Sequence, residues 1–301
     1  MKVFVTGGSG YVGGAVLRHL SLSGHECRVL SRDAEAHRRR LTALEGVYPV
    51  RGDITASSPD QLAELMSKCE AVVHLVGVIV EKGTPGYEAI HVEGTRRVLA
   101  AAERAKVKRY LHMSALGARP GAPAHYQQTK WAAEELVRGN PIPWTIFRPS
   151  IIFGENDEFL NVFAGIARRS PAVPVIGAGR GRLQPIWVED VARCFAGALT
   201  KAETAGQAFE LGGERAYSLE ELLRMVAGAM GKRRFFPHIP EPVARLQAKL
   251  FNLLPVKPPF TEDQITMLAE DNVCDPGPMK RAFGFEPRAL EDYLRERFGR
   301  G

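Results

Sequence analysis

The sequence predicts an α/β protein, a doubly wound parallel sheet with a smaller C-terminal lobe. Two observations carry this. From the N-terminus to about residue 150, short apolar runs of strand length alternate with helical patterns, as βαβ units do. A glycine-rich turn, Gly7-Gly8-Ser9-Gly10-Tyr11-Val12-Gly13, separates the first such run from the first helix. Past Gly154 prolines and glycines become frequent and the alternation weakens, which marks the start of the lobe.

Taken in order, residues 2–6 read as the first strand and 13–23 as its helix, with strands at 26–30 and 47–51 following. Residues 71–76, apolar but for His74, are a run suited to burial on both faces. A long helix is expected over 86–105, a strand over 109–114, a helix over 126–138 and a strand over 144–147. Residues 183–188 and 190–200 read as a strand and a helix that return to the sheet, and 209–211 as another short strand. Ser218-Leu219-Glu220-Glu221 is a capping box opening a helix to Met230. The boundaries that follow are 1–153 for the sheet domain, joined by 183–213, with 154–182 and 214–301 forming the lobe.

Composition narrows the function. A chain of 301 residues can bury a substantial core. Its net charge of +6 is mild, and the basic run Arg38-Arg39-Arg40 reads as a solvated helix face, so no nucleic-acid partner is expected. The eight histidines are dispersed without ligand spacing, so no metal site is expected. Cys27, Cys69, Cys194 and Cys274 show no CxxC pairing, which fits reduced thiols in the cytoplasm. The N-terminus runs directly into a strand, leaving no room for a signal peptide, and no apolar stretch is long enough to span a membrane.

Gly7, Gly10 and Gly13 stand between strand and helix at the spacing a dinucleotide phosphate requires. Gly7 permits the tight turn, Gly10 lets backbone amides approach the pyrophosphate, and Gly13 lets the helix pack closely. The helix N-terminus then stabilises the phosphate charge. Thr6, Tyr11 and Val12 complete this cradle. At the tip of the second strand, Leu30-Ser31-Arg32-Asp33, an arginine accommodates the 2′-phosphate of NADP where an acid would bind the ribose of NAD. Arg32 with Ser31 favours NADP(H), while Asp33 keeps NAD(H) open. Asp53 and Ile54 are placed to reach the adenine edge, and Leu75-Val76-Gly77 closes the fourth strand beside the cofactor.

Tyr126 and Lys130, four residues apart at the start of a helix, share a face. Ser114 ends the preceding strand, on the carboxyl edge where open α/β sheets bind ligands. A nearby ammonium lowers a phenol's pKa, so Tyr126 could pass a proton to a carbonyl oxygen while hydride arrives from a nicotinamide. Ser114 would polarise that oxygen and Lys130 would also grip the nicotinamide ribose.

These residues, in this order, resemble the short-chain dehydrogenase/reductase superfamily in its extended form, across nearly the whole chain. The resemblance rests on residues 5–13, Gly52-Asp53-Ile54, Tyr126 with Lys130, Arg148-Pro149-Ser150 and Val188-Glu189-Asp190-Val191-Ala192. It implies an NAD(P)-binding Rossmann fold, with Arg148, Pro149 and Ser150 lining the nicotinamide face. His74-Leu75-Val76-Gly77, residues 91–95, 112–117 and 184–190, and Asp271-Asn272-Val273 resemble an atypical branch, the bacterial relatives of the nucleotide-binding accessory alpha subunit of mitochondrial complex I. That branch implies an NADP(H) site and a tie to quinone or lipid. His91 stands where extended reductases carry an asparagine that serves a water-linked proton relay; it substitutes in that relay, marks its loss, or is a packed or capping histidine.

In the lobe, Val243, Leu246, Leu250 and Leu253 recur at helical spacing, with Arg245 and Lys249 between them. They make a helix packed over a substrate cleft, a lid for an apolar substrate, or a surface resting on a membrane. Phe235, Phe236, Phe251 and Phe260 add aromatic bulk, while Arg180, Arg182, Arg233 and Arg234 are candidate phosphate ligands. The expected function is NADPH-dependent reduction of a carbonyl on an apolar, quinone- or isoprenoid-like small molecule. The alternatives are a non-catalytic, nucleotide-holding assembly protein and a nucleotide-sugar epimerase or dehydratase.

Overall fold

The computed structural model describes residues 1–81, 83, 85–252 and 260–299. Among them, seven parallel strands form the central sheet: β1 Lys2–Thr6, β2 Glu26–Ser31, β3 Val47–Arg51, β4 Ala71–His74, β5 Arg109–Met113, β6 Trp144–Pro149 and β11 Gln207–Leu211. Their spatial order is β11-β6-β5-β4-β1-β2-β3. Between β6 and β11 lie the short strands β7 Ile152–Phe153, β8 Val175–Ile176, β9 Arg182–Leu183 and β10 Ile186–Trp187; β12 Tyr217–Ser218 and β13 His238–Ile239 follow. Pro185 divides what the sequence suggested was one strand over 183–188.

The helices are α1 Tyr11–Leu22, α2 Ala34–Leu41, α3 Pro59–Leu65, α4 Gly94–Arg104, α5 His125–Arg138, α6 Leu160–Arg169, α7 Val188–Thr200, α8 Leu219–Ala229, α9 Glu241–Asn252, α10 Glu262–Leu268, α11 Gly277–Phe283 and α12 Leu290–Phe298. Alternation along each strand sends neighbours to opposite faces. Val3, Val5, Val73, Leu111 and Phe147 pack with α1 and α7; Phe4, Val72, Tyr110 and Ile146 pack with α3, α4 and α5. The lobe core joins α6, α8 and α12 through Phe163, Leu222, Val226, Tyr293 and Leu294.

Two helices differ from their sequence reading. The stretch expected as one helix over 86–105 begins with a π-helical segment, Glu88–Glu93, before α4. In α9 the side turned inward is Ala244 and Ala248, which pack with Ile265 of α10, while Val243 and Leu246 remain exposed. The side chains of Lys249, Leu250 and Phe251, and residues Leu253 and Leu254, lie outside the described residues. No helix among the described residues is long and apolar enough to cross a membrane.

Candidate active site

The order of the central strands reverses direction between β1 and β4, and the glycine turn lies over that point, where open α/β sheets receive ligands. Gly7 has a φ of +74°, and a Cβ there would stand 2.9 Å from the Val76 amide nitrogen. A Cβ on Gly13 would stand 2.2 Å from the Gly7 carbonyl oxygen, so only glycine lets α1 start this close to β1. Gly10 is the N-cap of α1, with an exposed backbone and no side-chain cap. The turn therefore presents unoccupied helix-terminal amides to an anion.

Thr6 and Ile54 face elsewhere. The Thr6 hydroxyl bonds His74 Nδ1 at 2.7 Å, and Ile54 packs where a Cβ of Gly94 would be. Asp53 accepts bonds from the amide and the hydroxyl of Thr55, both at 2.8 Å, which shapes the loop after β3.

At the tip of β2, Asp33 accepts the Ala36 amide at 2.9 Å and so caps α2. Arg32 and Asp33 are both exposed there, and the cap engages one of the two Asp33 oxygens. Ser31 is buried and its hydroxyl bonds His37 Nδ1 at 2.9 Å. The run 38–40 is not merely solvated: Arg40 crosses from α2 to donate to the Ser9 carbonyl at 2.5 Å, beside the glycine turn. His37 and Arg40 were missed as site neighbours, although Asp33 as a cap would have placed both on one helix face.

Beyond the turn, Lys130 reaches Gly77, with Tyr126 one turn before it on α5 and Ser114 just past β5. Ser114 is 2% exposed and its hydroxyl has no hydrogen-bond partner among the described residues, an orphan a bound carbonyl or ribose would satisfy. Lys130 is buried, donates to the Met113 carbonyl at 2.9 Å, and lies 2.9 Å from where a Gly77 Cβ would be. Gly77 is exposed, so the lysine head sits directly beneath an open stretch of backbone. Burial lowers its pKa to about 8. The glycine cradle, the orphaned hydroxyl and this ammonium fit a nicotinamide dinucleotide, which would supply a hydride.

Tyr126 corrects one expectation. Instead of being lowered by the ammonium, its phenol is pushed up to about 12 by burial, which disfavours the charged form. The ring is held edge-on by Tyr87 and His91, with centroids 5.8 and 5.5 Å away. Tyr87 itself stacks on His91 and donates to the Ile79 carbonyl.

His91 has a definite tautomer. The Val78 amide donates to Nε2 at 3.1 Å, so the proton lies on Nδ1, which bonds Thr129 Oγ1 at 2.9 Å. Thr129 in turn donates to carbonyls of His125 and Tyr126 in the first turn of α5. Burial lowers the His91 pKa to about 2. The imidazole is a neutral strut between the 77–78 turn and α5, with neither nitrogen left to relay a proton. Its placement is that of a packed histidine.

Arg148 leaves the nicotinamide face. Its guanidinium grips the fully buried Glu134 of α5 at 2.8 and 2.6 Å and stacks on Trp131. Ser150 is likewise engaged, donating to Asn272 Oδ1 at 2.5 Å, while the Asn272 amide group reaches the Leu116 carbonyl. Gln184 donates to the Gly213 carbonyl and accepts the Cys274 amide. The 184–190 and 271–273 motifs thus fasten lobe to sheet. Among the described residues no group of side chains could hold a metal.

Known proteins resemble the chain in sequence and in fold. Residues 3–212 match the family described as the NAD dependent epimerase/dehydratase family. The chain is 28% identical over 303 residues to NADH dehydrogenase (ubiquinone) 1 alpha subcomplex subunit 9 of Arabidopsis thaliana mitochondria, spanning 96% of this chain and 75% of that protein. It is 32% identical over 243 residues to a ceramide reductase of Caulobacter vibrioides, covering 80% and 74%. Over 274 residues it is 29% identical to the 4-hydroxy-2-methyl-3-oxo-4-farnesyl-3,4-dihydroquinoline-1-oxide ketoreductase of Stigmatella aurantiaca, covering 83% and 79%. A UDP-glucuronic acid 4-epimerase of Bacillus cereus, solved with NAD, shares the fold at a TM-score of 0.79 and 18% identity over 99% of this chain and 98% of that one. By the match over most of its length, the chain belongs to the NAD dependent epimerase/dehydratase family.

Proposed function

We propose that the protein reduces a carbonyl on an apolar small molecule, using NADPH as hydride donor and Tyr126 as proton donor. What supports this is the orphaned Ser114 hydroxyl just past β5, together with Tyr126 and Lys130 one turn apart on α5, where Lys130 reaches Gly77 beside the glycine cradle. Hydride would add to the carbonyl carbon, and the Tyr126 proton would go to the oxygen that Ser114 holds. NADPH is preferred over NADH because Asp33 caps α2 through one of its oxygens while Arg32 and Ser31 stand at the tip of β2. An apolar substrate suits a lobe that exposes Val243 and Leu246 of α9, and the same face suits contact with a membrane surface. Two relatives support the class: one is named for ceramide, the other for a farnesyl-bearing 3-oxo compound.

A second reading has its own support. The raised phenol and the immobilised His91 suit a protein that holds a nucleotide for assembly without turning it over, as kinship with a complex I subunit suggests. One experiment separates the two: NADPH oxidation at 340 nm against a panel of long-chain aliphatic ketones and farnesyl-bearing quinones. The reductase reading expects turnover by wild type and loss of at least 100-fold in Tyr126→Phe, with NADPH affinity kept within about twofold. No turnover, together with a copurifying nucleotide that does not exchange, would support the holding role.

A further inference from the structure

The helix that carries Tyr126 and Lys130 does not cap itself. Its N-cap is Ala124, which has no side chain able to accept an amide. The cap comes from elsewhere: Asp263, on α10 of the lobe, accepts the Tyr126 amide at 2.9 Å through Oδ2 and the His125 amide at 3.3 Å through Oδ1. A carboxylate here satisfies two orphan donors and opposes the positive end of the α5 dipole. The helix α10 has its own capping box, in which Thr261 accepts the Gln264 amide, so Asp263 is free to serve another helix. It is anchored to α9, through the packing of Ile265 on Ala244 and Ala248 and through Arg245 to Thr266 at 3.1 Å.

We propose that Asp263 is a positioning residue through which the lobe seats Tyr126, so that the α9–α10 pair and the proton donor move as one. The proposal rests on the reading of Tyr126 as proton donor. The phenol ring is fixed sideways by Tyr87 and His91, and Thr129 ties the carbonyl side of this turn to His91. The amide side is held by the lobe, through Asp263. A substrate that draws α10 toward or away from α5 therefore shifts the Tyr126 backbone against a ring cage anchored in the sheet domain. Apolar contacts far from the carbonyl are in this way felt at the proton donor, a means of favouring substrates long enough to engage the lobe.

The test uses the full chain saturated with NADPH, comparing wild type with Asp263→Ala and Asp263→Asn. Hydrogen exchange should quicken about tenfold at the amides of residues 125–127 in Asp263→Ala, while the peptide covering β1 and α1 is unchanged. Asp263→Asn keeps an acceptor and should recover part of the protection. NADPH affinity should stay within about twofold in both. With a long-chain methyl ketone as probe, kcat should fall about tenfold or more in Asp263→Ala with KM little altered, and a short ketone should lose less. Unchanged exchange in the first turn of α5, or parallel losses in kcat, NADPH affinity and melting temperature, would overturn the proposal. If wild type reduces no ketone, the reductase reading fails, while the exchange comparison still decides whether Asp263 governs that turn.

Discussion

The two ends of the candidate site are built from different materials. The phosphate end is backbone: three glycines whose missing side chains let a strand, a turn and a helix approach to contact distance. The reactive end is side chains: Ser114, Tyr126 and Lys130, steadied by Tyr87, His91, Thr129 and a carboxylate from the lobe. Backbone geometry is present whenever the sheet is folded. Side-chain chemistry depends on neighbours, and here the neighbours leave the phenol with its proton tightly held. The cradle is thus set by the fold, whereas the proposed chemistry rests on how lobe and helix come together.

The contrast is broken most forcefully at Gly13. Gly13→Ala places a Cβ 2.2 Å from the Gly7 carbonyl, and affinity for NADPH and NADH alike should fall by at least about 100-fold in a fluorescence titration. Retained binding would show that the turn can relax. A smaller, selective effect is expected at the ribose. Arg32→Ala should weaken NADPH about tenfold through loss of a charge-assisted contact, while NADH changes less than twofold. Equal losses would remove the NADP assignment.

The smallest effect is a pH dependence. Burial lowers Lys130 from 10.5 to about 8, so its ammonium is charged at neutral pH and lost as pH rises through about 8. Affinity for NADPH should fall several-fold between pH 7 and 9.5, and Lys130→Met should abolish the slope. For the nucleotide-free protein the sign is opposite. Between about 8 and 10.5 the unfolded chain binds a proton that the folded chain has released, so stability from this group rises with pH in that window.

Much of this architecture was legible because its signals are local. The alternation of strands and helices, the glycine spacing, and the four-residue step from Tyr126 to Lys130 need no knowledge of distant partners. Helices α2, α3, α6, α10, α11 and α12 were not assigned from the sequence. Only Leu41 of α2 and Leu62 of α3 are buried, too little to set a period, although Ser58 with Gln61 is a capping box and Pro59 a helix starter. What the sequence hides is contact at a distance. Asp263 lies 137 residues from the amide it caps, and the fate of His91 turns on the Val78 amide. Arg148 likewise sits within a motif yet answers to Glu134, across a helix–strand packing that no linear spacing reveals.

The threading of the chain has a consequence for its divisibility. After β6 the polypeptide leaves for α6, comes back through α7 and β11, and leaves again, and Ser150 and Gln184 then close on Asn272 and Cys274 from the last stretch. A chain ended after Gly213 would hold all seven parallel strands and still fall short, stranding buried hydroxyl and amide groups with no partner and leaving α5 without its cap. The last third of the chain is therefore no removable accessory. Its removal would strip hydrogen bonds from the sheet domain itself.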